Sequence, residues 1–243
     1  FTQFNEGSGL GKGRIWDILE DPSGNIWVGS DGGGLTKISP AGKLQRFDSK
    51  QGLANSRVTG LALRAGGGLY VATYGGGVFI FQDGEFKQFA GGAELGVLDV
   101  QALYLDSNDS LWIGTDGAGL VRYHAGNFKR YTKQDGLSSE QVRVVSEDKN
   151  GHIWFGTSGG GLHSFKDGLV KSYLKSGQIS NDSIMSILED REKNLWVGTR
   201  VGLNQFREGP ITSYTTLAGL EQPITLGTLE DRDGVLWVGT FGG

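Results

Sequence analysis

Asn25-Ile26-Trp27-Val28-Gly29-Ser30 is the stretch on which the fold turns, because the 243-residue chain repeats it. It returns as Leu69-Tyr70-Val71-Ala72-Thr73, Leu111-Trp112-Ile113-Gly114-Thr115 and Ile153-Trp154-Phe155-Gly156-Thr157. Two more copies are Leu195-Trp196-Val197-Gly198-Thr199 and Leu236-Trp237-Val238-Gly239-Thr240. Its small residue stands at 29, 72, 114, 156, 198 and 239, at intervals of 43, 42, 42, 42 and 41. A fixed period of this length is the mark of a repeat architecture.

Working outward, each period supplies four short apolar segments. Strand a runs Ile15–Leu19, Val58–Leu63, Val100–Leu105, Val142–Val145 and Ile184–Leu188 in successive repeats. Strand b is the Trp segment. Strand c follows the glycines, as at Gly34–Ser39 and Gly119–Tyr123, and strand d ends at Phe47, Phe89, Tyr131, Tyr173 and Tyr214. Gly, Asn, Asp and Ser separate these β-rich segments, and no helical period interrupts them, which is the pattern of antiparallel meanders. The 43 glycines among 243 residues supply the turns, far above the usual share of ~7%. The expected fold is therefore all-β, a β-propeller of four-stranded antiparallel blades occupying residues 1–243 as one domain. Six repeats imply six blades with the last incomplete, or a segment of a longer propeller. Phe4 is in phase with the strand-d aromatics, so Phe1–Phe4 is expected to be a strand d. The strand-b aromatics are expected to be buried between neighbouring blades.

The acidic turn Glu20-Asp21-Pro22-Ser23-Gly24 between a and b recurs as Glu147–Gly151 and Glu230–Gly234. Its Asp suits a turn, where a carboxylate accepts backbone N–H groups and Gly takes φ > 0. The three His, at 124, 152 and 163, have no metal-ligand spacing. The glycine runs beginning at Asp31, Tyr74 and Ser158 lead into strands, so they are b–c turns and not phosphate cradles. With no Cys, a net charge of −4 and no basic stripe, disulfides, thiol chemistry and nucleic-acid binding are all disfavoured. No cofactor or metal is expected. No stretch is apolar enough to span a membrane, so attachment would need segments outside this sequence.

The run Ile184–Thr199 with the later Tyr214–Leu220 resembles the two-component regulator propeller repeat. That resemblance implies an extracytoplasmic or periplasmic sensor domain of a bacterial signal-transduction receptor such as a hybrid histidine kinase, with the full-length receptor as a homodimer. It also implies a small polar ligand, with saccharides among those sensed by relatives. Two departures from the repeat stand out. The second repeat has Arg64 for the turn Asp and Tyr70 for the Trp, and the fifth has Arg200-Val201-Gly202 where others have a longer glycine run.

In a four-strand meander the b–c and d–a loops emerge at one end. Asp31, Tyr74, Asp116, Ser158, Arg200 and Phe241 follow strand b directly, and Asn55, Arg57, Gln141, Asn181, Asp182 and Gln222 come from the d–a loops. Carboxylates, amides, Arg and aromatics in one place suit a small polar ligand. Arg200, in the shortened turn, is the foremost candidate, facing either ligand or Asp182. A non-catalytic scaffold binding a partner protein is the alternative. A propeller lyase or hydrolase is disfavoured, because the acids after strand b, Asp31 and Asp116, lie two repeats apart.

Overall fold

The computed structural model describes residues 2–173, 179–206, 212–216, 219–220 and 222–241. They form a β-propeller fold of five four-stranded antiparallel sheets and one two-stranded sheet. The sheets are built in strict sequence order. The first comprises β1 (Ile15–Glu20), β2 (Ile26–Ser30), β3 (Gly34–Ile38) and β4 (Leu44–Phe47). The second holds β5 (Val58–Leu63), β6 (Leu69–Thr73), β7 (Gly77–Gln82) and β8 (Glu85–Ala90). The third holds β9 (Val100–Leu105), β10 (Leu111–Thr115), β11 (Leu120–His124) and β12 (Asn127–Tyr131). The fourth holds β13 (Val142–Glu147), β14 (Ile153–Thr157), β15 (Leu162–Lys166) and β16 (Leu169–Tyr173). The fifth holds β17 (Ile184–Glu189), β18 (Leu195–Thr199), β19 (Gly202–Phe206) and β20 (Thr212–Tyr214). The sixth sheet is β21 (Thr225–Glu230) with β22 (Leu236–Thr240).

Two compact units divide the chain, residues 1–105 with 109–129, and residues 106–108 with 130–243. Within the first, β1 packs on β5 and β5 on β9. Within the second, β13 packs on β17 and β17 on β21. The first strand of each sheet therefore forms the crowded inner edge, as radial stacking of meanders requires. Small residues make that approach feasible. A Cβ on Gly29 would lie 2.7 Å from Val58, and one on Gly156 would lie 2.4 Å from Ile184, so the recurring glycine of strand b is the space into which the next blade fits.

The acidic turn performs two tasks. Asp148 Oδ1 accepts the N–H groups of Asn150 and His152, each at 2.9 Å, while Oδ2 accepts Trp154 Nε1 at 2.8 Å. Asp21 with Trp27, Asp190 with Trp196 and Asp231 with Trp237 repeat the indole bond at 2.7–2.8 Å. Burial works against the charge of Asp148, but the bonds from Trp154 and His152 outweigh it and hold the carboxyl below its usual range. The Glu before Asp148, Asp190 and Asp231 reaches the preceding turn. Glu147 accepts Ser107 N–H at 2.8 Å, Glu189 accepts Lys149 N–H at 2.8 Å, and Glu230 accepts Arg191 N–H at 2.9 Å.

Two expectations need correction. Thr2–Phe4 form no strand, and Phe1 lies outside the described residues. Phe4 instead leads into a one-turn 3-10 helix with Asn5 as its cap. Phe47 with Asp48 and Tyr131 with Thr132 lead into their turns in the same way. The strand-b aromatics are also not uniformly buried. Trp112 is 1% exposed and Trp27 7%, but Trp237 is 58% exposed. The cause is that β22 pairs with β21 alone among the described residues.

Candidate functional site

The end of each sheet carrying the b–c and d–a loops is organised by one repeated backbone bond. The residue after strand b donates its N–H to the carbonyl just before strand a. The pairs are Asp31 to Arg14, Tyr74 to Arg57, Asp116 to Asp99, Ser158 to Gln141, Arg200 to Ser183 and Phe241 to Ile224, at 2.8–3.3 Å. Beside it, every strand a carries a β-bulge. The pairing with strand b skips Trp16, Thr59, Gln101, Arg143, Met185 and Leu226. A bulge re-aims the extra side chain and recurs next to functional sites. The sequence reading missed these residues, because a bulge leaves no mark in an alternating apolar pattern.

In the first unit this construction joins four of the expected residues. Arg57 Nε lies 3.6 Å from Asp31 Oδ1, and its guanidinium sits 4.3 Å from the centre of the Tyr74 ring. Tyr74 Oη donates to Asp116 Oδ2 at 3.0 Å, and Gln101 Nε2 donates to the same oxygen at 3.1 Å. The bond to Asp116, then burial, then the charges of Asp116 and Asp99 hold the Tyr74 phenol above its usual range, so it is a neutral donor at physiological pH. Trp16 lies under both Arg14 and Arg57, 5.2 and 5.3 Å from its ring centre. Trp16 Nε1 and Arg57 Nε are buried without a hydrogen-bond partner. Orphaned buried donors are costly and cluster where function demands them. Asn55 is spent locally, since its Oδ1 accepts Arg57 N–H at 2.9 Å in a turn.

The second unit presents a looser set. Asn181 accepts Ser183 N–H at 2.9 Å, and Asn181 and Asp182 line a small cavity of about 240 Å³ with Tyr173 and Ile179. Ser158 and Gln141 meet through their backbones. Arg200 is exposed in a two-residue turn closed by the Thr199–Gly202 pair, a tighter path than the three-residue turns elsewhere. Among the described residues it makes no ion pair with Asp182, so that expected pairing is absent. Phe241 and Gln222 are exposed.

No group of His, Asp or Glu suited to a metal ion occurs among the described residues. His163 is fully buried, stacked on Phe155 at 5.0 Å, with Nε2 accepting Ser138 N–H at 3.1 Å. Burial depresses its pKa to about 4. Asn204, at the corresponding place in the fifth sheet, accepts Ser180 N–H at 2.9 Å, so His163 and Asn204 anchor the same loop in their two sheets.

Comparison with known proteins bears on this geometry. Residues 9–32, 94–117, 136–159, 178–200 and 219–242 match the sequence profile described as two component regulator propeller. Each matched segment spans a d–a loop with strands a and b, and the second repeat, which holds Arg64 and Tyr70, is unmatched. No curated protein matches the sequence. Among solved structures, the extracellular domain of the hybrid two component system BT3049 from B. thetaiotaomicron is similar, with a TM-score of 0.83 and 24% identity over 98% of this chain and 33% of that one. This chain thus spans about a third of that relative. The extracellular domain of the one component system BT4673 from B. thetaiotaomicron gives 0.60 at 19% identity, over 93% and 37% of the two chains. A catalytically inactive virginiamycin B lyase from Staphylococcus aureus, solved with quinupristin, gives 0.78 at 13% identity, over 96% and 80%. At these identities the likeness is one of fold.

Proposed function

Because the chain is built of two component regulator propeller repeats, we propose that it is the ligand-sensing domain of a bacterial signal-transduction receptor. It works outside the cytoplasm and binds a small polar ligand without chemistry. The ligand sits at the b–c/d–a end, and a saccharide is the class that the donors and acceptors there suit best. The observation that carries this reading is the continuous chain Asp31–Arg57–Tyr74–Asp116–Gln101, drawn from three successive sheets. Its Arg and Tyr are preorganised by neighbours, its carboxylates accept from hydroxyls, and the Trp16 ring backs the cation. The same chain supports binding over catalysis. Asp31 and Asp116 are joined through Arg57 and Tyr74, so each carboxylate already has a cation or a donor.

Isothermal calorimetry with a panel of neutral mono- and oligosaccharides tests the reading. At least one sugar binds wild type, and Arg57→Ala weakens it roughly tenfold or more, the scale of a lost charge-assisted hydrogen bond. A sugar that binds both forms equally contradicts the placement.

A further inference from the structure

In the second unit, one buried side chain holds a loop of the b–c/d–a end in place. We propose that residues 138–141 form an acid-released clasp, closed on His163 at neutral pH and opened when the imidazole takes a proton.

The clasp is a variant of a device built into the repeat. In each complete sheet one strand-c residue stands opposite the middle of strand b: Thr36 opposite Val28, Phe79 opposite Val71, Val121 opposite Ile113, His163 opposite Phe155 and Asn204 opposite Val197. Where that residue can accept a hydrogen bond, it takes an N–H of the d–a loop leading into its own sheet. Thr36 Oγ1 accepts Gly11 N–H at 3.3 Å, His163 Nε2 accepts Ser138 N–H at 3.1 Å, and Asn204 Oδ1 accepts Ser180 N–H at 2.9 Å. Of the three acceptors, only the imidazole nitrogen is turned into a donor by a proton near neutral or acid pH.

Protonation undoes the clasp in two ways. Accepting at Nε2 requires the neutral ring, so a proton there sets one donor against another. Ser138 Oγ, 3.3 Å from Nε2, can take the new bond, but the Ser138 N–H then loses its acceptor. The charge is also stranded. His163 is fully buried, and its neighbours are Phe155 of β14, Ser172 of β16 and Ser138 of the loop, none of them charged. The loop's own carboxylate, Glu140, accepts Lys133 N–H at 3.3 Å. Burial holds the ring neutral down to about 4, against a smaller pull from the Gly161 backbone. A buried imidazolium without a counter-ion is costly, and water reaches it most readily when the segment covering Nε2 lifts. Once uncovered, the ring returns toward its ordinary 6.5, so a proton binds the open loop more tightly than the closed one. Acid therefore favours opening, increasingly so from 6.5 down to about 4.

What the clasp holds lies at the candidate site. Leu137 and Val142, 4% and 0% exposed, pin the two ends of the segment. Between them, Ser139 packs on the b–c turn, where a Cβ on Gly160 would lie 2.7 Å from Ser139 Cβ, and Gln141 O accepts Ser158 N–H at 2.9 Å. Opening therefore disarranges Gln141 and Ser158 together. Its use to a receptor, as a brake on binding in external acid, rests on the proposed function, whereas the release itself does not.

Amide hydrogen exchange of the ligand-free chain, followed by NMR at pH 7 and pH 4.5 and corrected for the intrinsic rate at each, tests the proposal. Ser138 loses protection by roughly tenfold or more on acidification, while Ser180, clasped by Asn204, keeps its own. His163→Asn and His163→Gln put a non-titrating acceptor in place of the ring, and in whichever folds Ser138 stays protected at pH 4.5. If neither folds, the wild-type ratio of the two serines decides by itself. Equal protection of Ser138 at both pH values, a matching loss at Ser180, or the same acid loss in a folded His163 variant would overturn the proposal.

Discussion

Asp17, half-buried, and His163, fully buried, titrate so as to pull stability in different directions. Burial raises the Asp17 carboxyl to about 6, against the bonds it accepts from Leu61 and Ile18 N–H. The folded chain then holds a proton that the unfolded chain has released. Ionised Asp17 costs stability as pH rises from about 4 to 6, and nothing further is lost above that window. Raising the pH from 4 to 7 should cost the wild type roughly 1–3 kcal/mol, a loss that Asp17→Asn, which does not ionise, should not show. Urea titrations at the two pH values check this, and a pH-independent difference would contradict it. His163 has the reverse sign. Its folded pKa of about 4 lies below the unfolded value of 6.5, so its contribution is present above 6.5 and is lost as pH falls toward 4. His163→Asn, which copies Asn204, should keep the Ser138 bond and remove that acid-side loss.

At the scale of strands and turns, the recurring Trp and Asp form one device whose value depends on what covers it. Trp112, 1% exposed in a complete sheet, should cost ~3–5 kcal/mol when truncated to Ala. Trp237, 58% exposed on the two-stranded sheet, should cost under ~1 kcal/mol. Equal costs in chemical denaturation would mean that the sheets are not completed as described. The Glu latches make a matching prediction. Glu189→Gln, which weakens the acceptor of Lys149 N–H, should destabilise by about 1 kcal/mol, whereas an exposed carboxylate without a latch, such as Glu85, should tolerate the same change. The repeat made the strands legible in sequence, because Trp-x-Gly-Thr and the closing aromatic fall at fixed spacing. The bulge was not legible, since Trp16, Thr59, Gln101, Arg143, Met185 and Leu226 share no chemistry, only a position. The latch hid for a related reason. Glu and Asp sit side by side, yet one serves its own turn and the other serves the turn before it.

For the whole molecule, the sequence foretold the architecture, but not which of the residues in the b–c and d–a loops would meet. Arg57, Tyr74, Asp31 and Asp116 are linked through a ring contact and a shared carboxylate that no spacing rule encodes. Arg200, the foremost candidate on sequence grounds, stands exposed on a tight turn without an ion-pair partner among the described residues. The sensing claim therefore rests on the three-sheet cluster of the first unit, and the six Trp provide a direct reporter of it. Four indole N–H groups are locked to aspartates at the far ends of their sheets, and Trp16 alone lies within the cluster with its N–H unbonded. The most direct measurement is indole ¹⁵N–¹H NMR while titrating a panel of neutral oligosaccharides. The account predicts that a binding sugar moves the Trp16 signal saturably, leaves the locked indoles in place, and loses this effect in Arg57→Ala. A sugar that shifts the locked indoles while Trp16 stays fixed would contradict it.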